Sequence, residues 1–304
     1  MKLISFLNTG NTCYINSVFQ CFINDIVFRN IIVRSDNSKE YYSILKTIIE
    51  LINLKEDLKS SFIKFNLEKF NELLFKNSYF TRFEQHDAHE FLLKFMDIFE
   101  TECKEVYYGK TKLSIKCNKC NTTKEVFEDF TTLNLNVNLN DSEKQLHLYE
   151  LFEYYLKREI HNDQNNLYYC DTCKCNTTSE QKTVLWKLPK RLIIVFKRYS
   201  DNGIKNNNKI KYPIDNVLIK ESSSSTVFNY SLSNIIYHFG HINHGHYTNS
   251  TKINDKWYLI DDDSIMENSE IILNNTNSYI LVYSAKDTPG TPGTLGTPGT
   301  NLPL

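Results

Sequence analysis

Cys13 stands at the end of the run Asn8-Thr9-Gly10-Asn11-Thr12, just ahead of Ile15, Val18, Phe19, Phe22 and Ile26, apolar residues three or four positions apart. That spacing predicts an amphipathic helix with Asn11 or Thr12 as its cap and Cys13 in its first turn. There the positive end of the helix dipole favours a thiolate, the nucleophilic form of cysteine. A thiolate that performs acyl transfer needs a base, most often histidine. Four of the eight histidines, His238, His241, His244 and His246, fall in one short stretch, and beyond it the strand-like Trp257-Tyr258-Leu259-Ile260 ends in Asp261-Asp262-Asp263. A hairpin joining the two segments sets a carboxylate beside an imidazole, completing a Cys-His-Asp triad. Asp261 directly follows the strand, whereas continued extended geometry points Asp262 to the opposite face. Two readings compete. Cys13 could be a buried thiol that only packs, as expected of Cys21 and Cys103, or the four histidines could hold a metal, although no thiolate or carboxylate lies among them to complete a usual set.

A second constellation is Cys117-Asn118-Lys119-Cys120 with Cys170-Asp171-Thr172-Cys173. Two C-x-x-C knuckles supply four thiolates at tetrahedral zinc spacing, and each is flanked by residues of strand character. The expectation is one structural Zn2+ per chain, tying together strands distant in sequence, with Cys175 available as a substitute ligand. Four Cys ligands leave no open position for catalysis.

These groups need a scaffold, and 304 residues with 41% hydrophobic and 23% charged content provide for a large buried core. Lys+Arg 35 against Asp+Glu 36 gives a net charge of −1, so bulk charge recruits neither nucleic acid nor an anionic membrane. The longest apolar runs, such as Leu192 to Phe196, fall far short of the roughly 20 residues that span a bilayer, and no secretory h-region follows Lys2. An intracellular, reducing location follows, in cytoplasm or nucleus, where paired cysteines serve metals rather than disulfides. Helical periodicity runs to about Tyr108, including Ala88, Leu92, Phe95, Phe99, Cys103 and Val106. Alternating strands follow, with Leu133, Leu135, Val137 and Leu139 on one face and a helix around Leu148 to Leu156. Strand signals dominate after Trp186, at Leu192 to Tyr199, Ser231 to His238, Lys256 to Ile260 and Tyr279 to Tyr283. The class is α+β, a helical lobe facing a sheet lobe. Four of the nine glycines and four of the six prolines crowd residues 287–304, a Thr/Pro/Gly-rich tail expected to be disordered. The few glycines left, Gly10, Gly240 and Gly245 among them, should sit where backbone approaches something closely.

The run Phe6 to Ser17 resembles the Cys box of the ubiquitin-specific proteases, and Gly245-His246-Tyr247-Thr248 with Trp257 to Asp262 resembles their His box. Gln85-His86-Asp87-Ala88-His89-Glu90-Phe91-Leu92, the Leu188-Pro189 to Tyr199 strand and Tyr279 to Tyr283 are similar to further family landmarks, in order, over residues 3 to about 285. The resemblance implies a papain-like cysteine protease of thumb, fingers and palm: thumb about 1–111, zinc-tied fingers about 112–185, palm about 186–286. It implies a deubiquitinating thiol hydrolase acting after the C-terminal Gly of ubiquitin, with Cys13 as nucleophile, His246 as base, Asp261 as its orienting carboxylate and Asp262 able to share that role. By motif position Asn8 is the oxyanion donor, with a turn or cap as its structural alternative. Gly245 and Tyr247 contact the substrate tail, and Asp87 and Glu90, at i and i+3 on one helical face, meet its arginines. Ser5, His86 and Asn249-Ser250 depart from the pattern without removing a catalytic group. The expected partner is ubiquitin or a ubiquitinated protein, and the enzyme is expected to work as a monomer with no targeting domain ahead of it. The alternatives are a catalytically weak ubiquitin-binding module and a protease for a ubiquitin-like modifier.

Overall fold

Helices occupy the first third of the chain: α1 (Cys13–Ile23), α2 (Ile26–Arg34), α3 (Glu40–Asn53), α4 (Lys59–Lys76), α5 (Ala88–Ile98) and α6 (Glu100–Tyr107). The computed structural model describes residues 3–53, 59–77, 79–138, 145–161, 167–200, 202–241, 244–268 and 276–286; Leu139 and the tail 287–304 lie outside the described residues. Two apolar stripes that read as continuous are each two helices. Asp25, between Ile23 and Ile26, turns its carboxylate onto the Val27 N–H at 2.9 Å and so caps α2. Phe99 leaves helical geometry at φ −111° and ends α5 as α6 begins. Every residue of α1 is buried, which makes it the central helix. Phe19, Phe22, Phe28 and Phe99 surround Phe95 with ring centroids 4.7–5.6 Å from it, an aromatic core.

The chain continues as β1 (Gly109–Cys117), β2 (Thr123–Phe130), β3 (Thr132–Asn136), β4 (Leu146–His147), α7 (Leu148–Tyr155), β5 (Glu159–His161), β6 (Tyr168–Cys170), β7 (Cys175–Thr177) and β8 (Ser179–Lys187). The fingers sheet has the order β2-β1-β8-β5, all antiparallel, with β6 and β7 paired at its tip. Its edge strand β2 is largely exposed and carries Lys124, Glu125, Glu128 and Asp129, charges that discourage pairing with another chain.

The palm follows: β9 (Arg191–Lys197), β10 (Ile210–Lys211), β11 (Val217–Lys220), β12 (Val227–His241), β13 (His244–Ile253), β14 (Lys256–Asp261), β15 (Ser264–Asn268) and β16 (Ser278–Ala285). Its sheet runs β15-β14-β13-β12-β16-β9-β3, with β11 added on β12 and only β3 parallel to its neighbour. Central strands β9 and β16 read as unbroken apolar runs because both faces are covered. Ile193, Val195, Ile280 and Val282 enter the helical core, while Leu192, Ile194, Phe196, Leu281 and Tyr283 enter a second core with α7 and β3. A bidentate pair clamps the lobes together: Arg191 Nε and Nη2 lie 2.7 and 3.0 Å from the two oxygens of Asp25, which also accepts from Tyr107 OH at 2.6 Å.

Candidate active site

Cys13 opens α1 and is 3% exposed. Neither expected cap uses its side chain on the helix: Asn11 is left-handed at φ 57° and donates to the Phe83 carbonyl at 2.6 Å, and Thr12 is the cap residue without a side-chain cap bond. The loop is shaped by Asn8 instead. Its Oδ1 accepts from Gly10 N and Thr12 N, both at 3.1 Å. Gly10 adopts φ 115°, and a Cβ there would meet the Phe83 ring at 2.6 Å, so this glycine serves both turn and close approach.

The other half of the site lies on the β12–β13 hairpin. His246 on β13 directs Nε2 to Asp261 Oδ1, at 2.6 Å, on the last residue of β14. The neighbouring Cys13 thiol is the largest influence on this imidazole; with Asp261 it outweighs partial burial and raises the pKa from 6.5 to about 9. Gly245 is required one residue earlier because the His238 imidazole fills the space a Cβ would take. His238 itself is buried and neutral, lowered to about 4 by burial and then by Lys205. Among the described residues His246 groups with Asp261 and Asp262 rather than with His238, His241 or His244.

Asp262 departs from the expected extended geometry. At φ 47° it is the first turn residue after β14, and the turn swings its carboxylate onto the thumb rather than away from the site. Oδ2 accepts from Asn8 Nδ2 at 2.9 Å and Oδ1 from Asn16 Nδ2 at 2.8 Å, while its carbonyl accepts from Phe6 N at 2.9 Å. Asn8 therefore shapes its turn through one end of the carboxamide and meets Asp262 through the other.

Asp87 and Glu90 do not share a helical face. Asp87 is the cap of α5, outside the helix at ψ 131°, and its carboxylate accepts from His89 N, Glu90 N, Tyr279 OH and Tyr247 OH. Two of these donors belong to the cap itself, and Tyr247 reaches the thumb through its hydroxyl. Glu90 is exposed. Three contributors escaped sequence reasoning. Gln85 accepts from Gly245 N at 2.8 Å across the cleft, Asn16 holds Asp262, and Asp25 pairs with Arg191. Gln85 and Asn16 stood within the motif runs without an assigned role, Asn16 also as a polar residue beside the apolar stripe of α1; Asp25 carried no signal beyond its position before a helix.

At the fingertip Cys117, Cys120, Cys170 and Cys173 bring their sulfurs within 4.8 Å of one another. Cys117 and Cys173 are 4.0 Å apart and Cys120 and Cys170 3.6 Å, against an edge of about 3.8 Å for four sulfurs each about 2.3 Å from a tetrahedral zinc. The donor set fits a metal. Cys175 stands apart, accepting from Lys119 Nζ at 3.5 Å.

A thiol at a helix start, interacting with an imidazole that a carboxylate orients, defines the site of a papain-type thiol hydrolase. Residues 4–283 match the ubiquitin carboxyl-terminal hydrolase family, and the chain belongs to it. It is 32% identical over 194 residues to a probable ubiquitin carboxyl-terminal hydrolase of Acanthamoeba polyphaga mimivirus, covering 60% of this chain and 41% of that protein. Ubiquitin carboxyl-terminal hydrolase 20 of Arabidopsis thaliana is 27% identical over 313 residues, 92% of this chain and 43% of the relative. The chain thus spans about half the length of the curated relatives it matches. The fold is that of the SAGA Ubp8/Sgf11/Sus1/Sgf73 DUB module bound to ubiquitin aldehyde, with a TM-score of 0.77 at 23% identity over 94% of this chain and 70% of that one. The architecture is accordingly the thumb, fingers and palm of the ubiquitin-specific proteases. Among the described residues no helix is long and apolar enough to cross a membrane.

Proposed function

We propose that the chain is a deubiquitinating cysteine protease that hydrolyses the isopeptide or peptide bond after the C-terminal Gly of ubiquitin. The observation that carries this reading is the His246–Asp261 pair at 2.6 Å on the palm, with Cys13 of the thumb the first cause of the raised His246 pKa. Cys13 Sγ attacks the glycine carbonyl, and the oxyanion draws on the Cys13 N–H and the Asn8 carboxamide. His246 gives its proton to the leaving lysine amine as the C–N bond breaks, leaving a thioester. It then takes a proton from water, whose oxygen displaces the thiolate. Asp261 holds the ring in the productive orientation throughout. Gly245 and Tyr247 border the tail's path.

One Zn2+ per chain, held by Cys117, Cys120, Cys170 and Cys173, would fix the fingers in a closed structural site. Residues 1–286 serve as one catalytic domain, with ubiquitin or a ubiquitinated protein as partner and no nucleic acid, acting as a monomer. Paired cysteines gathered for a metal support a reducing cytoplasmic or nuclear setting. The test is a ubiquitin whose C-terminus carries a thiol-reactive electrophile. Covalent capture at Cys13, lost in Cys13→Ala while ubiquitin still binds, is the expected result. No capture by ubiquitin overturns the reading, and capture only by a ubiquitin-like probe reassigns the modifier.

A further inference from the structure

Gln85 crosses from thumb to palm one residue away from the base: its Oε1 accepts from the Gly245 N–H at 2.8 Å, and His246 comes next in the chain. The loop that carries Gln85, between α4 and α5, is fastened to the nucleophile's own segment. Phe83 O accepts from Asn11 Nδ2 at 2.6 Å, and the Phe83 ring covers Gly10 so closely that a Cβ there would lie 2.6 Å from it. His86 Nε2 takes the Thr81 N–H at 3.0 Å, which closes the loop on itself, and its ring stands edge-on to that of Tyr14, the residue after Cys13, with centroids 5.4 Å apart. Phe83 is left-handed at φ 65°, an outlier for a bulky side chain that persists only where the surroundings impose it. Here Gly10 and Asn11 are among those surroundings, so the strained turn and the Cys13 loop hold each other. The palm end needs such a hold. His246 lies near the open end of the β12–β13 hairpin, where Gly240 and Gly245 face each other in the register and give the backbone the most freedom.

We propose that Gln85 is a positioning residue for the acyl-transfer reaction: through Gly245 it fixes how closely His246 approaches Cys13, and the Asn11–Phe83 contact is the other end of the same brace. It acts on the chemical step, not on ubiquitin affinity. Gln85 is exposed, so its bond competes with water and should be worth a factor of roughly 3 to 10 in rate. His246 is faced by Cys13 of α1 and Asp261 of β14, and Cys13 is the first cause of its raised pKa, so the titration of this imidazole reports the separation that the brace sets. The reaction rests on the protease reading above, whereas the brace itself does not.

Two measurements on the full chain separate these. In the first, which uses no ubiquitin, the imidazole resonances of His246 are titrated in the original chain and in Gln85→Met, a variant that keeps the side-chain length and loses the acceptor, each with and without Cys13→Ala. The midpoint is expected near pH 9 in the original chain and lower by roughly 0.5 to 1 pH unit in Gln85→Met. The two Cys13→Ala chains should titrate together, because the partner whose distance is being set is gone. An unchanged midpoint in Gln85→Met, or a difference that survives in the Cys13→Ala pair, overturns the brace. In the second, steady-state rates are measured on ubiquitin bearing a small fluorogenic leaving group. Gln85→Met should lower kcat roughly 3- to 10-fold with KM unchanged, and Gln85→Glu, whose carboxylate still accepts from Gly245 N, should restore it. Asn11→Gly keeps the left-handed backbone and removes the donor to Phe83, so adding it to Gln85→Met should cost nothing further. A raised KM with kcat unchanged makes Gln85 a substrate contact, additive losses make the two ends independent, and either result overturns the proposal. If no ubiquitin conjugate is cleaved by the original chain, the protease reading falls and the titration still decides the brace.

Discussion

Asp261 and Asp262 are neighbours in the chain whose carboxylates serve opposite lobes. Asp261 holds His246 of the palm at 2.6 Å, and Asp262, turned through a left-handed backbone, holds Asn8 and Asn16 of the thumb. Substituting them should therefore give different signatures. Asp261→Ala is expected to lower kcat/KM on the order of 10²-fold or more, because the imidazole loses its orienting partner. Asp262→Ala should take one partner from each of two carboxamides and lower the melting temperature, with the smaller kinetic loss. Steady-state rates and melting curves of both variants check this, and the reverse ranking of kcat/KM reassigns the orienting role.

Asn8 joins two functions in one side chain. Asn8→Ala should cost on the order of 10²- to 10³-fold in kcat with little change in KM, as for a lost oxyanion donor. It should also cost about 1 kcal/mol or more of stability, since Gly10 N, Thr12 N and Asp262 all lose a partner. A variant that melts lower but keeps near-original kcat makes Asn8 scaffolding alone.

The raised His246 pKa fixes an alkaline limit. The imidazolium that protonates the leaving amine persists until about pH 9, so kcat/KM should fall through that value, and the limb should move to lower pH in Asp261→Asn. The same shift links to folding. With the native value above the ordinary 6.5, the contribution of this pairing is complete below about 6.5 and fades as pH rises through about 9. A pH–rate profile and melting curves of the original chain and the Asp261→Asn variant read both.

Metal analysis should return one Zn per chain. Cys120→Ser or chelation should lower the melting temperature and weaken ubiquitin binding together, since thiolate zinc contributes directly to folding. A metal-free protein of full stability overturns the assignment. Retention of metal in Cys170→Ser would bring in Cys175, which Lys119 otherwise holds aside.

Arg191 and Asp25 offer a test of how the lobes are clamped. Their side chains are only 13% and 12% exposed, so Arg191→Ala leaves a carboxylate poorly solvated and should cost about 3–5 kcal/mol. The Arg191→Met/Asp25→Leu pair should recover much of that loss in denaturant titrations. No recovery would mean that each residue acts through other neighbours, Tyr107 among them.

The sequence was legible where one residue type at one spacing answered one need. Paired C-x-x-C motifs converge, β14 ends on Asp261, and apolar runs at Leu192 to Phe196 and Tyr279 to Tyr283 form the covered strands. It was less legible where a single backbone angle redirected a side chain. A left-handed Asp262 cannot be inferred from Asp-Asp-Asp, and neither can the cap geometry that gathers tyrosine and backbone donors on Asp87. Helical periodicity likewise ran through Asp25 and Phe99 because the stripe keeps its phase across each break.

Strand β16 occupies the middle of the palm sheet yet comes after every other described strand in the chain. Its alternate residues close two cores: Ile280 and Val282 complete the helical one, Leu281 and Tyr283 the one beside α7. During synthesis neither lobe can finish packing until this strand has left the ribosome. Helices made some two hundred residues earlier wait with an open apolar face. The native state should consequently form late and melt as one cooperative unit, with no independently stable thumb left behind when the palm opens.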